Sequence, residues 1–335
     1  MKVNKVNFNE FTKIFDIKNE SMSKGAWWWW FCLFFIDDKN NPNTPKQLMV
    51  LWSTKNSKSF WCNDIKMEMC KPSSNDTIPG AVASWYFDGQ KMQQPLLFEQ
   101  CNLKLSSNIL VSDSSTPTSF SMEGGKGVVK IGDDFELNVE VENNHDFTKP
   151  LYASHSYLFN KGYSMIRLIH LKLTGKIKGE NISGSAFFHR IFVNLPSPSW
   201  HWGLFHFKNG GILTYYNPYI FKKSMKKDIT LFDGNCIHEF VDIKVKKKDE
   251  CFPVFHVSGE NDCEKIEFTV KTYSQASWTF KKRSIGFIPN KLVYNEYPSF
   301  ISDLKLVDKK TGKNINLDYL GSSVGNTEYT TGMLF

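Results

Sequence analysis

Apolar and polar positions alternate with a period of two through most of the chain, the signature of strands with one buried face. Such runs predict strands over 27–36, 47–53, 81–87, 96–105, 127–131, 135–141, 164–177, 184–193, 201–207, 211–216, 237–245, 265–273 and 292–297. Turn dipeptides separate them, among them Asp88-Gly89, Gly124-Gly125 and Asn209-Gly210. Many short strands at this spacing indicate barrels or sandwiches. Only the first 24 residues break the period. There Phe8, Phe11, Ile14 and Phe15 fall on one side of a short amphipathic helix, with Asn9 as its N-cap.

One strand is apolar on both faces. Residues 27–36 read WWWWFCLFFI and stop at Asp37-Asp38. The apolar run from Ala26 to Ile36 is too short for a membrane-spanning helix, which needs about 20 residues. It reads as a strand buried on both sides. Alternation gives Trp27 and Trp29 one face and Trp28 and Trp30 the other. One pair would line a cavity in a first barrel and the other would pack outside it; Trp28 and Trp30 are the candidate ligand-contacting pair. The same motif, an aromatic strand running into Asp-Gly or Asn-Gly, occurs at Trp85–Gly89 and Phe205–Gly210. It predicts two related halves, 1–178 and 179–335, with a seam in the polar stretch Gly175–Gly184.

Composition adds rings and positive charge. The 335 residues are 15% aromatic, so a ring-rich core or pocket is expected. The net charge of +7 is concentrated in clusters such as Lys244 to Lys248 and Lys281-Lys282-Arg283. These read as solvated strand ends that would also allow peripheral docking on an anionic membrane. No nucleic-acid-binding pattern accompanies them. Seven cysteines, an odd number with no CxxC, point to reduced thiols rather than a disulfide framework. Met1 to Asn9 contains no apolar signal region, so the expected location is the cytoplasm, with the membrane surface as a peripheral contact.

Standard catalytic signatures are missing. No GxGxxG, P-loop or HExxH occurs. Gly321 to Gly325 formally matches GxSxG, but no Asp or His follows it, so a nucleophile elbow is not indicated. His201 and His206 are five apart on a strand and face opposite sides, so no metal site is expected. No cofactor is expected either.

Several stretches, taken in order, resemble the lipocalin-like family of carotenoid 1,2-hydratase (hydroxyneurosporene synthase) and AttH. Gly175 to His189 is similar to its segment running from a Gly-rich turn to an aromatic and a His or Asp. Trp200-His-Trp202 followed by Phe205 to Gly210 resembles its W-x-W hairpin, and Trp27 to Trp30 its N-terminal aromatic strand. Tyr294-Asn-Glu296 and Gly325 to Gly332 resemble its closing motifs. The resemblance implies an all-β chain of two tandem lipocalin-like antiparallel barrels with a ligand cavity at or between them. It also implies water addition to, or cyclisation of, a hydrophobic isoprenoid, or Diels–Alderase-type pericyclic cyclisation. The chain departs from the hydratase pattern at His189-Arg190-Ile191, where a Trp is missing, and at Tyr216-Asn217-Pro218, where an Asp is missing.

Protonating an alkene needs a carboxylic acid kept neutral by an apolar site, rings to hold the cation, and a second group to direct water or take a proton. Glu296 and Glu328, in otherwise apolar or Thr-rich strands, are the candidate acids, with His189 and Tyr216 beside them. Trp200, Trp202, Tyr294 and Arg190 are the further candidate substrate contacts. Alternation is consistent with His189, Trp202 and Tyr216 sharing the inside of one barrel. A non-catalytic carrier of lipid or isoprenoid is the alternative to an enzyme.

Overall fold

The computed structural model describes residues 2–5, 11, 13–17, 25–38, 41–42, 44–69, 77–142, 145, 147–156, 162–194, 198–220, 223–224, 227–283 and 290–334. Almost all of them lie in antiparallel strands, arranged in two large sheets.

The first sheet closes into a ten-stranded barrel. Trp27–Ile36 pairs with Gln47–Lys55, and this strand with Thr77–Phe87. The chain then meanders through Met92–Leu105, Ile109–Ser112, Thr118–Glu123, Lys126–Ile131 and Phe135–Val141 to Gly162–Ile177. Glu180–Val193 pairs with Gly162–Ile177 on one side and with Trp27–Ile36 on the other, which closes the ring. Closure removes both sheet edges. The barrel is filled rather than hollow: Trp28, Trp30, Trp52, Phe34, Phe120 and Phe188 are among the fully buried side chains inside it.

The N-terminal residues plug this barrel, but not as the expected α-helix. Phe11, Lys13 and Ile14 form a short 3₁₀ turn, and Phe11, Ile14, Phe15 and Ile17 are buried in the barrel core. Ile14 O accepts a 2.7 Å hydrogen bond from Trp30 Nε1 and Asp16 O one of 2.8 Å from Arg190 Nη2. Carbonyls that an α-helix would use for its own ladder are thus taken by the barrel wall. Phe8 and Asn9 lie outside the described residues.

The second sheet has fourteen strands and is not a second closed barrel. Its order is Ile237–Phe240, Asp228–Phe232, Ile212–Ile220, Ser199–Phe207, Ser323–Met333, Lys291–Asp308, Glu264–Thr272, Val254–Glu260 and Asp242–Lys248. The two edge strands are consecutive in the chain, joined through Val241. Following one another with a single residue between them, they leave no turn that would lay them side by side in a ladder. Lys227 clasps the open seam instead, donating to Asp242 Oδ1 at 3.3 Å and Ile243 O at 2.8 Å. The sheet curls around its own apolar core, which includes Phe205, Tyr215, Phe240, Phe255 and Phe268. The GxSxG stretch runs from the single helical turn Leu317–Leu320 into Ser323–Met333. That is the reverse of a nucleophile elbow.

Strands cross the expected seam in both directions. Glu180–Val193 belongs to the first sheet, although it follows residue 178. The hairpin Ser57–Cys62/Ile65–Met69 leaves the first barrel and joins the second sheet through Ala276–Lys281. Between the sheets lies a third apolar cluster, built from the outer face of the barrel (Phe31, Leu33, Phe35, Met49, Trp85) and the facing strands of the second sheet. Ser185 and His206 pin the sheets together: His206 Nε2 donates to Ile169 O at 3.0 Å, and Nδ1 accepts from the Ser185 hydroxyl at 2.7 Å.

Gly184 stands at the closure of the barrel with φ +154°, and a Cβ there would lie 2.0 Å from Phe35 O. Gly184→Ala therefore forces the closing strand away from Trp27–Ile36. The expected loss is about 2–3 kcal/mol of stability, read as a lower midpoint in urea unfolding.

Candidate active site between the sheets

The strands Lys291–Asp308 and Ser323–Met333 place two carboxyls side by side. Glu296 and Glu328 are directly opposite one another in the antiparallel register. Cβ atoms of such a pair lie about 4.5–5.5 Å apart. Both side chains point into the apolar layer between the sheets: Glu296 is 0% exposed and Glu328 6%. Alternation puts Tyr294 and Glu296 on one face of their strand, and Val324, Asn326 and Glu328 on the matching face of the other.

Their partners are mostly aromatic. Glu296 Oε2 accepts from Trp85 Nε1 at 2.7 Å, a bond that crosses from the first barrel to the second sheet. Glu328 Oε2 accepts from Trp200 Nε1 at 2.6 Å, and its Oε1 from the Tyr294 hydroxyl at 2.8 Å. Among the described residues Glu296 Oε1 has no partner. Burial, and then the neighbouring Glu328, push the Glu296 pKa up to about 8. Burial pushes Glu328 up to about 7, opposed by the bonds from Trp200 and Tyr294. Two carboxylates this close and this dry cannot both ionise readily, so they titrate as a pair that holds a proton near neutrality. Glu328, with two donors, suits the charged member; Glu296, with one, suits the neutral member.

His189 faces this layer from the barrel side. It accepts from Trp29 Nε1 at 3.2 Å and packs between Phe31 and Phe187. Burial and the nearby Arg167 lower its pKa to about 3, so the ring is neutral near pH 7. It is therefore not on the same sheet as Trp202 and Tyr216, as the sequence pattern had suggested. Trp202 and Tyr216 are register partners in the second sheet, and His189 opposes them across the interface, with the Phe187 ring tilted against Trp202 at 5.4 Å between centroids. Tyr216 is 38% exposed, yet burial pushes its phenol pKa upward. Trp200, Trp202 and Arg167 are likewise half-buried. Arg167 Nε has no partner among the described residues.

The other candidates lie elsewhere. Trp28 and Trp30 are fully buried inside the filled barrel, with Trp28 against Phe192. Trp27 and Trp29 are the pair that faces the second sheet. Arg190 also points into the barrel, with Nη1 donating to Ser164 Oγ at 3.2 Å. The structure brings together Glu296, Glu328, Tyr294 and Trp200, and sets Trp202, Tyr216 and His189 around them. It does not bring Trp28, Trp30 or Arg190 there.

Sequence reasoning passed over Trp85, Gln47 and Asn326. Gln47 donates to Gly325 O at 2.8 Å and to the Tyr273 hydroxyl at 2.7 Å, while its Oε1 has no partner among the described residues. Asn326, fully buried two residues before Glu328, has neither side-chain atom partnered among them. Glu296, Gln47 and Asn326 thus give the layer polar atoms that a ligand or water could satisfy. The detectable signal was polar residues in apolar strands, which for Gln47 and Asn326 looked like ordinary strand ends.

Two cavities bear on the site. One, about 40 Å³ and apolar, is lined by Trp27, Phe60, Met67, Trp278, Phe280 and Tyr294, the last of which bonds Glu328. The other, a groove of about 670 Å³, lies on the first barrel among Ser121, Val128, Asn138 and Thr174. Its flanking Lys126 and Glu140 pair with each other at 3.3 Å, and it is formed by strands remote from the carboxyls. Size therefore does not mark the reactive place; the desolvated carboxyls do. Among the described residues no group of three His, Cys, Asp or Glu is placed to hold a metal ion.

The raised pKa values fix a sign for pH dependence. In the unfolded chain Glu296 loses its proton near 4.5, but in the folded protein only near 8. The stability tied to this proton is fully present below about pH 4.5 and is lost as pH rises towards 8. Urea unfolding of Glu296→Gln should therefore show a shallower decline over this range than the parent, by up to about 1.4 kcal/mol per pH unit. Parallel profiles would mean that Glu296 is ionised in the folded protein.

No protein-family model and no curated protein matches the sequence. Solved structures do. The crystal structure of a "putative AttH" from Nitrosomonas europaea is similar at TM-score 0.57 and 12% identity, over 93% of this chain and 94% of that one. The crystal structure of CghA is similar at TM-score 0.52 and 7% identity, over 92% of this chain and 89% of that one. The resemblance to AttH read from the sequence motifs is thus a likeness of the whole fold.

Proposed function

We propose that the chain is a cofactor-independent catalyst of the hydratase or cyclase kind, acting on a hydrophobic, isoprenoid-like alkene between its two sheets. The observation that carries this reading is the opposed pair Glu296–Glu328, buried, ring-lined and holding a proton near neutrality. Burying two carboxyls without a cation costs stability, and such arrangements cluster where chemistry needs them. The fold shared with AttH and with CghA is compatible with this reading.

The chemistry follows from the two environments. Neutral Glu296 gives its proton to one alkene carbon; the π electrons form the new C–H bond and leave a cation on the other carbon. Trp85 Nε1 already points at Glu296 Oε2 and would hold the carboxylate left behind. The faces of Trp200, Trp202 and Tyr294 are placed to stabilise the cation. Water, or a C–C double bond of the same substrate, then attacks it. Glu328 takes the proton released, from the added water or from a carbon next to the final cation. Proton return from Glu328 to Glu296 restores the pair. His189, neutral at pH 7, can orient water but does not supply the proton.

Incubation with acyclic polyprenyl alcohols and carotenes in D₂O tests the reading. Product carrying one deuterium at carbon is expected, with Glu296→Gln and Glu328→Gln each at least about 10²-fold slower. Turnover that survives both substitutions would point to shape-driven pericyclic cyclisation. A bound but unchanged lipid in the parent protein would point to a carrier.

A further inference from the structure

The strand Gln47–Lys55 ends on a buried cation. Lys55 is only 3% exposed, although lysines are almost never hidden unless paired. Alternation puts it on the strand face of Leu51 and Ser53, and both of these line the apolar cavity between the sheets. Its register partner is Trp27, a further wall of that cavity. The Lys55 ammonium lies 4.3 Å from the centre of the Trp27 ring. Asn56 alone joins Lys55 to the hairpin Ser57–Cys62/Ile65–Met69, which roofs the cavity with Phe60 and Met67. Cation and cavity thus meet at the foot of the hairpin. Tyr294, whose hydroxyl donates to Glu328, is another wall of the same cavity.

The ammonium is poorly served where it stands. Among the described residues its hydrogen-bond acceptor is Gly25 O at 3.4 Å, longer than the roughly 2.7–3.2 Å of a good N–H···O bond. It has no carboxylate partner among them. Burial, and then the positive charge of Lys282, lower its pKa to about 7. A cation kept dry without a counter-ion is a cost to the fold, of the kind that marks a binding place. Both contacts that it does make, a carbonyl oxygen and the face of an indole, favour the ammonium over the free amine. The missing member is therefore an anion rather than a carbonyl compound awaiting a nucleophile.

We propose that Lys55 anchors the head of an amphipathic acid, a monocarboxylate whose apolar chain lies along Trp27 and through the cavity towards Tyr294. This deepens the proposed function by giving the isoprenoid-like substrate one ionised end, and it rests on that reading only for what happens at the carboxyl pair. A carboxylate fits better than a diphosphate. One negative charge neutralises the buried ammonium, whereas a diphosphate would bring about three charges into the same dry place. A cavity of about 40 Å³ holds only part of such a chain, so the hairpin roof moves aside on binding.

Isothermal titration of the full chain with farnesoic acid and with farnesol, which share one chain and differ at the head, tests the proposal. The acid should bind the parent at least about tenfold more tightly at pH 7. Pairing with the carboxylate raises the Lys55 pKa from about 7, so the complex holds a proton that the free protein partly lacks. At pH 8 the uptake should approach about 0.9 proton per acid, read from binding heats in two buffers of different ionisation enthalpy. Affinity for the acid should fall about five- to tenfold per pH unit above 7. Farnesol should share only the part of this dependence that comes from Glu296 and Glu328. Lys55→Met should lose the acid's advantage and the extra proton uptake, and bind farnesol as the parent does. With an uncompensated cation removed, its thermal midpoint should not fall. The pH series on the parent needs no variant, so it decides the matter even if Lys55→Met fails to fold. The proposal is overturned if the acid binds no better than farnesol, if its affinity is flat between about pH 7 and 8.5, or if a folded Lys55→Met binds it like the parent. Borohydride trapping of farnesal on Lys55, in a protein that shows no preference for the acid, would likewise overturn it. Binding is read without turnover, so failure here and failure of the chemistry at Glu296 and Glu328 are told apart.

Discussion

Everything in this molecule hangs on one strand having no solvent face. Trp27–Ile36 sends Trp28, Trp30, Cys32 and Phe34 into the first barrel and Trp29, Phe31, Leu33 and Phe35 towards the second sheet. An ordinary barrel strand buries one face and wets the other. Here the outer face is as apolar as the inner, so the barrel is incomplete until a second sheet covers it. That requirement explains why the halves exchange strands. The hairpin Ser57–Cys62/Ile65–Met69 crosses over, and Trp85 crosses with its hydrogen bond to Glu296. The site is consequently a property of the interface rather than of either sheet. Separating the sheets would expose the apolar layer and hydrate both carboxyls at once.

The same layer sets the electrostatics. A carboxylate pair in water would repel weakly and stay ionised. Between the sheets water is excluded, and among the described residues the donors aimed at the pair are two indoles and a phenol. Neutral donors stabilise a carboxylate less than an arginine would. Arg190, a candidate substrate contact from the sequence, is committed to Ser164 and Asp16 on the barrel side of its strand. The result is a proton held near pH 7 in a place lined with rings. Histidines are shifted the opposite way for the same reason: burial lowers His170, His189, His201 and His206.

How much of this was legible in sequence depended on range. Strands with strong patterning, such as Trp27–Ile36 and Phe135–Val141, were fully readable, because alternation is a local property. Faces were readable too: Trp200, Trp202, Leu204 and His206 do share a side. What alternation cannot say is which side of a strand is the inside of a closed sheet and which is the seam between two. Hence Trp28 and Trp30 were candidates for the ligand, and His189 was expected beside Trp202 on one sheet. The short strand Ser57–Cys62 was invisible for the complementary reason, since its pairing with Ala276–Lys281 is long-range. Glu296 and Glu328 stood out in the sequence as polar residues in apolar strands, but their meeting depends on a register 32 residues apart in sequence.

The filled first barrel bears on what the second half must do. A hollow lipocalin-like barrel would hold its ligand within the ring of strands. Here the N-terminal turn, Trp28, Trp30 and Trp52 occupy that space, and the plug is fastened by Trp30 and Arg190. The second sheet, in turn, packs its own core around Phe205, Tyr215 and Phe268. With both interiors occupied by protein, the layer between them is where ring-lined, half-accessible side chains and unpartnered polar atoms coincide. The consequence is mechanical as well as chemical. A cavity of about 40 Å³ is far smaller than an isoprenoid, so admission requires the roof to move. The roof is a two-stranded hairpin held at its edge by Trp61–Lys281 and Cys62–Phe280 pairing and by two bonds between Asn63 and Thr279. Such a short ladder opens at far lower cost than either core, which makes the hairpin the natural gate to the carboxyl pair.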